Sequence, residues 1–208
     1  MYNFSLYIDK VKGKTCAAFC LRHGDGGRDM ELDREQTVER LLTAYGQWYD
    51  LTRVEDGGPL VATGEFHEHG TGYILIRKAE MWSADCHEYL YVFSVETLDR
   101  ACFERCLARA RELGEPLVKP AEGHKSTYIT VLIVCGTADE EGLAALKKCR
   151  IRKSFQLSLK GWMEVHTVAV TVRGNVIASN GDGRRTREFL KNVLQPRKKD
   201  LWYRLFKK

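Results

Sequence analysis

The run STYITVLIVCG, residues 126–136, limits the choice of fold more than any other stretch of this chain. Ile129, Val131 and Ile133 fall on one side of an extended strand, and Leu132 and Val134 on the other. A strand that is apolar on both faces has to be covered on both. This predicts a central strand of a sheet between two helix layers. The fold class expected is α/β on the border with α+β, a mixed sheet with helices on both faces. With 44% hydrophobic and 29% charged residues in 208 positions, the chain has apolar residues enough for one core.

The flanking segments fit that architecture. LDREQTVERLLTAYGQWYD has helical spacing, with Val38, Leu41, Leu42 and Tyr45 on its stripe and Asp33 and Gln36 placed as a capping box. Three strand-like runs follow: LVATGEFHEH, GYILIRKAEMW and EYLYVFSV. LDRACFERCLARARELG is a second helix, with Gly114 as its stop. After the central strand, Thr137 and Glu140 read as a capping box opening a third helix. WMEVHTVAVTV and NVIAS read as a hairpin turning at Arg173-Gly174-Asn175, and TREFLKNVL as a last helix. The alternation of Tyr2, Phe4, Leu6 and Ile8 reads as a strand of an N-terminal hairpin. The organisation expected is an extension over 1–30, a single domain over 31–195 and a tail over 196–208.

Charge is unevenly distributed. The net charge of +5 divides into +8 for residues 184–208, with ten Lys or Arg against Glu188 and Asp200, and −3 for everything before. The seven cysteines have no disulfide-scaffold spacing and read as reduced thiols. No run of 18 apolar residues is present, and the first residues carry acid and base where a secretory signal needs an apolar stretch. A cytoplasmic setting is the expectation.

Between residues 33 and 135 the order helix, three strands, helix, strand resembles the core of the restriction-endonuclease-like fold. That resemblance implies, for an active member, a carboxylate on the second strand and Glu-x-Lys on the third, holding a metal ion. The candidate strands here read Ile76-Arg77-Lys78 and Glu88-Tyr89-Leu90, and Glu65, Glu68 and Glu80 fall outside the pattern. A fold relative without the active site is the reading. Lys119-Pro120, His124, Ser126, Tyr128-Ile129, Lys153-Ser154-Phe155 and Gly161-Trp162 also resemble an uncharacterised family of small clostridial-type bacterial proteins, over about residues 33 to 190. This implies kinship and a cytoplasmic setting, and no activity.

The candidate functional residues are mostly cations. Lys147, Lys148, Arg150, Arg152 and Lys153 form one cluster, Arg184 and Arg185 a second, and Arg197, Lys198, Lys199 and Arg204 a third in the tail RKKDLWYRLFKK. If the clusters met in space they would neutralise several phosphates, with steep salt dependence. Trp202, Tyr203 and Phe206 are candidates for stacking or an interface. As a helix the tail is cationic and amphipathic, so an anionic membrane surface or a partner's groove is the alternative to nucleic acid. Lys119, His124, Lys125 and Ser126, before the central strand, form a polar candidate site that backbone capping explains equally well.

Glu65, His67 and His69 alternate onto one strand face, with His87 within reach. They are the metal candidates behind a third alternative, a divalent-metal hydrolase or nuclease, weighed against an exposed strand end. Cys16, Cys20 and His23 have metal-type residues at looser spacing, and Cys102 and Cys106 read as core thiols. Nucleotide-binding glycine motifs, the nucleophile elbow and His-Glu-x-x-His are all missing. The reading is a non-catalytic protein with no cofactor and an anion-facing C-terminal surface.

Overall fold

The computed structural model describes residues 33–68 and 85–194. The elements in chain order are α1 (Arg34–Tyr45), β1 (Asp50–Arg53), β2 (Leu60–Glu68), β3 (Asp85–Leu98), α2 (Arg100–Gly114), a 3-10 turn (Glu115–Leu117), β4 (His124–Ala138), α3 (Glu140–Lys148), β5 (Arg152–Ser154), β6 (Trp162–Thr171), β7 (Val176–Ser179) and α4 (Arg184–Leu194). The strands make one mixed sheet in the order β1-β2-β3-β4-β6-β5, with β7 also on β6. β1 with β2 and β2 with β3 pair antiparallel, whereas β3, β4 and β6 are mutually parallel. The fold is α+β, and the described residues form a seven-stranded mixed sheet flanked by four helices.

The central strand lies where its pattern requires. Ile129, Val131, Ile133 and Cys135 pack with Phe103, Cys106 and Ala110 of α2 and Leu146 of α3. Leu132 and Val134 pack on the other face with Leu41, Leu42 and Tyr45 of α1 and Leu190 of α4. The Tyr45 and Phe189 rings meet edge to face at 5.1 Å, closing the α1–α4 layer. Both parallel links, β3–α2–β4 and β4–α3–β6, place their helix on the same face, as right-handed crossovers in one direction require.

Several local expectations hold and others are corrected. Asp33 and Gln36 form the capping box, with Gln36 N donating to Asp33 Oδ1 at 2.7 Å. The cap of α3 is Asp139, not Thr137: Gly142 N donates to Asp139 Oδ1 at 2.6 Å. The reason is that β4 runs on to Ala138, so Thr137 is still in the sheet, its hydroxyl 3.2 Å from that of Thr97. Gly114 does not stop α2 by turning left-handed, since its φ is −89°. Pro116 converts the last turn to 3-10, and Gly114 instead makes room for Ile129 and Tyr91. The hairpin of β6 and β7 turns where expected, with Gly174 and Asn175 at φ 99° and 52°. α4 starts two residues earlier than read, at Arg184.

Two of the three strands expected after α1 are present as β2 and β3. β2 pairs directly with β3, and the short β1, unforeseen, borders β2. The run GYILIRKAEMW, the N-terminal hairpin with Cys16, Cys20 and His23, His69, and the tail from residue 195 lie outside the described residues.

One loop has an uncommon backbone. Gln156, Leu157 and Ser158 have φ values of 47°, 54° and 70°, followed by Gly161 at 76°. Left-handed conformation costs a residue with a β-carbon about 1–2 kcal/mol, so the surrounding bonds have to hold it. They do: Phe155 N donates to Gly161 O at 3.0 Å, Leu159 N to Gln156 O at 2.9 Å and Lys160 N to Phe155 O at 3.2 Å.

Candidate nucleic-acid interface

The edge of the sheet beyond β6 is shared by β5 at one end and β7 at the other. The two segments are tied together by Asn180, just after β7 and 2% exposed. Its Oδ1 accepts from Thr167 N at 3.2 Å and Gly183 N at 2.7 Å. Its Nδ2 donates to Cys149 O at 3.1 Å and Val165 O at 3.0 Å. One side chain therefore joins the turn leaving α3, the strand β6 and the turn entering α4.

The consequence for charge is direct. Lys147, Lys148 and Arg150 flank Cys149, while Arg184 and Arg185 follow Gly183, and all five are exposed. Two clusters far apart in sequence are brought to one edge. Asp182 is the acid among them, leaving a local excess of four positive charges.

Arg152 and Lys153 complete the first cluster on opposite faces of β5. Arg152 pairs with Glu164 at 2.7 Å and lies 5.2 Å over the Trp162 ring. Lys153 lies 5.6 Å over the Phe155 ring. Of the seven candidate cations described, Arg152 is thus the one already neutralised by a carboxylate.

Glu164 belongs to a polar row. Glu88, Tyr128, Glu164 and Arg152 are register partners across β3, β4, β6 and β5. Glu88 is buried and accepts from Thr130 Oγ1 at 2.6 Å, and Tyr128 stacks on His166 at 4.9 Å. The Glu164 carboxyl is held below the usual carboxylate range by His166, 4.0 Å from one oxygen, and by Arg152 at the other, against the opposing effect of burial. A depressed folded pKa means stability that is full above the unfolded value of about 4.3 and is lost as pH falls through the folded value. Glu164→Gln is therefore expected to lower the urea midpoint at neutral pH. The gap to wild type should close as the titration is carried into acid.

His124, Lys125, Ser126 and Lys119 do not form an open site. His124 and Ser126 are buried, Lys125 is half-buried and Lys119 is exposed. The His124 ring bonds to Lys160 O through Nδ1 and to Thr127 Oγ1 through Nε2, both at 2.9 Å, so it ties β4 to the turn before β6. Ser126 Oγ donates to Cys86 Sγ at 3.5 Å. His124 and Ser126 thus fasten the start of the strand.

The metal candidates are partly described. Glu65 is exposed on β2, and the backbone of His67 is the register partner of His87 on β3. His87 lies within β3, with its ring stacked 6.3 Å from that of His124. Among the described residues no three His, Cys, Asp or Glu side chains are grouped to hold a metal ion. Cys102 and Cys106 are core thiols, and burial pushes Cys106 up to about 12 and Cys135 up to about 11. Cys106 and Cys135 are expected to resist thiol reagents at neutral pH until the domain unfolds.

The tail cations Arg197, Lys198, Lys199 and Arg204 and the aromatics Trp202, Tyr203 and Phe206 lie outside the described residues. The chain reaches them from the far end of α4, about 16 Å along the helix from Arg184. Sequence reasoning missed Asn180 and Glu164. An Asn between a strand and a Gly-Asp-Gly turn is a weak signal, and the cross-strand pairing that gives Glu164 its partner has none.

What the fold and edge define is a mixed-sheet α+β domain with a cationic border. The chain belongs to the family carrying the domain of unknown function DUF8052, which matches residues 33–192. That span starts at the cap of α1 and ends within α4, so it corresponds to the described sheet and its helices. No curated protein and no solved structure matches the chain. Among the described residues no helix is long and apolar enough to cross a membrane.

Proposed function

We propose that this domain is a non-catalytic nucleic-acid-binding module that meets the phosphate backbone along its β5–β7 edge. The observation that carries this reading is the Asn180 bond set. It ties the backbone at Cys149, between Lys148 and Arg150, to that at Gly183, which Arg184 and Arg185 follow, and the side chains of these cations and of Lys147 are in solvent. Exposed cations gathered along one edge suit a phosphate backbone, and contacts of this kind carry little sequence information. The tail, with Trp202 and Tyr203 as stacking residues, would add contacts from the other end of α4.

Gel retardation of a short duplex and of a single strand tests the reading. Wild-type binding is expected to weaken steeply with salt. Replacing Lys147, Lys148, Arg184 and Arg185 by Glu should flatten the log–log salt slope by about 0.9 for each phosphate no longer neutralised. All four are exposed, so the fold should persist. An unchanged slope in this variant, with binding abolished only on removal of residues 197–208, would move the site to the tail.

A further inference from the structure

The loop from Phe155 to Gly161 displays two leucines that the domain does not use. Leu157 is 95% exposed and Leu159 81%. The next most exposed large hydrophobics are Val176 at 46% and Leu117 at 39%, so these two stand apart among the described residues. Scattered exposed apolar residues are ordinary, but a pair at one tip is not.

The display is built in rather than a result of slack. Three successive non-glycine residues are left-handed, and the turn is closed by the backbone bonds described above, by Gly161 N donating to Ser158 O at 3.2 Å and by the Ser154 and Ser158 hydroxyls at 2.8 Å. Its base is fastened by His124 Nδ1 on Lys160 O. Backbone strain of this sort persists only where the surroundings over-determine it. Here the strained residues bury nothing inside the domain: Gln156, Leu157 and Ser158 are all exposed.

The collar around the tip is cationic and aromatic. Arg152 lies over Trp162 on one face of the sheet and Lys153 over Phe155 on the other, both rings half-buried, and Lys160 follows Leu159 directly. Aliphatic tips above a belt of aromatic rings and cations match the layers of an anionic bilayer. Acyl chains take the leucines, the interface takes Trp162 and Phe155, and the headgroups take Lys153 and Lys160. Nucleic acid fits the tip poorly, since leucine neither stacks on bases nor pairs with phosphate. We infer that the loop Phe155–Gly161 is a membrane-surface anchor, inserting Leu157 and Leu159 into a bilayer that contains anionic lipid.

Two leucines are a small apolar area, so binding should be reversible and should need the anionic headgroups as well. Flotation of the full chain with phosphatidylcholine vesicles, with and without phosphatidylglycerol, tests this. Wild type is expected to float with the mixed vesicles and not with phosphatidylcholine alone. Each of Leu157→Asp and Leu159→Asp should lower the bound fraction at least about tenfold, and Lys153→Glu with Lys160→Glu should abolish flotation. Leu157, Leu159 and Lys153 are exposed and Lys160 is half-buried, and an unchanged circular dichroism spectrum checks each variant. Wild type failing to float at low salt overturns the inference, as does flotation that both leucine variants retain. Nucleic-acid retardation is expected to survive Leu157→Asp. If retardation is lost there while wild type ignores vesicles, the loop belongs to the nucleic-acid surface and the anchor is excluded. If flotation holds and retardation is absent, the anchor stands and the nucleic-acid reading falls.

Discussion

Asn180→Ala is expected to destabilise the domain by about 3–5 kcal/mol. The substitution strips partners from the amides of Thr167 and Gly183 and the carbonyls of Cys149 and Val165 at once, around a side chain only 2% exposed. Each buried backbone group left without a partner costs about 1 kcal/mol or more. A urea titration followed by circular dichroism gives the number. Asn180→Asp sharpens it, because it keeps the acceptor for the two amides and turns the donor into an oxygen facing two carbonyl oxygens. The aspartate is expected to be at least as damaging as alanine. A near-neutral Asn180→Asp would show that the two donated bonds contribute little. The same residue governs function in the proposed reading. Where Asn180→Ala still folds, retardation should weaken and its salt slope flatten, because the cations on either side of Asn180 lose their common tie.

Gly161→Ala is the second large effect, expected at about 4 kcal/mol or more. Gly161 has φ 76°, and a β-carbon there would lie 2.5 Å from His124 Nδ1 and 2.6 Å from the carbonyl oxygens of His124 and Lys125. Two of these three contacts are backbone of the central strand, which cannot retreat without breaking its ladder. Gly174→Ala separates steric clash from backbone strain. Gly174 has φ 99° with nothing within 4 Å of where its β-carbon would stand, so only the conformational cost of about 1–2 kcal/mol applies. Thermal melts of the two variants side by side should differ by several degrees or more. Equal losses would mean that the His124 contact yields. A Gly161→Ala variant that folds should also release Leu157 and Leu159 from their fixed presentation.

Much of the fold is legible in local pattern. The run 126–136 is apolar on both faces and lies at the centre of the sheet, buried from Ile129 to Gly136. The stripes of α1 and α2 and the cap at Asp33 are where their spacing places them. Misplaced features share a cause. Thr137 and Asp139 are both good caps, and the choice between them depends on how far β4 pairs with β3, which is a long-range matter. β1 has four residues with little periodicity and exists because β2 offers it an edge. Gly114 looks like a stop, but its neighbour Pro116 and the approach of Ile129 explain it better.

The candidate site divides along the same line. The sequence by itself determines that cations concentrate late in the chain, that Cys102 and Cys106 lie on a core stripe, and that a buried strand crosses the domain. These follow from residue type and from periods of two and 3.6, which need only near neighbours. Which cationic segments come to one edge was decided by tertiary structure. The stretch between Arg150 and Arg184 contains β5, β6, β7 and their turns, and only the pairing of those strands around Asn180 brings its ends together. The same pairing neutralises Arg152 with Glu164 and closes the strained turn that directs Leu157 and Leu159 outward. A cation is charged wherever it stands, but a surface is a relation between residues far apart in sequence, set by strand order and a few buried hydrogen bonds.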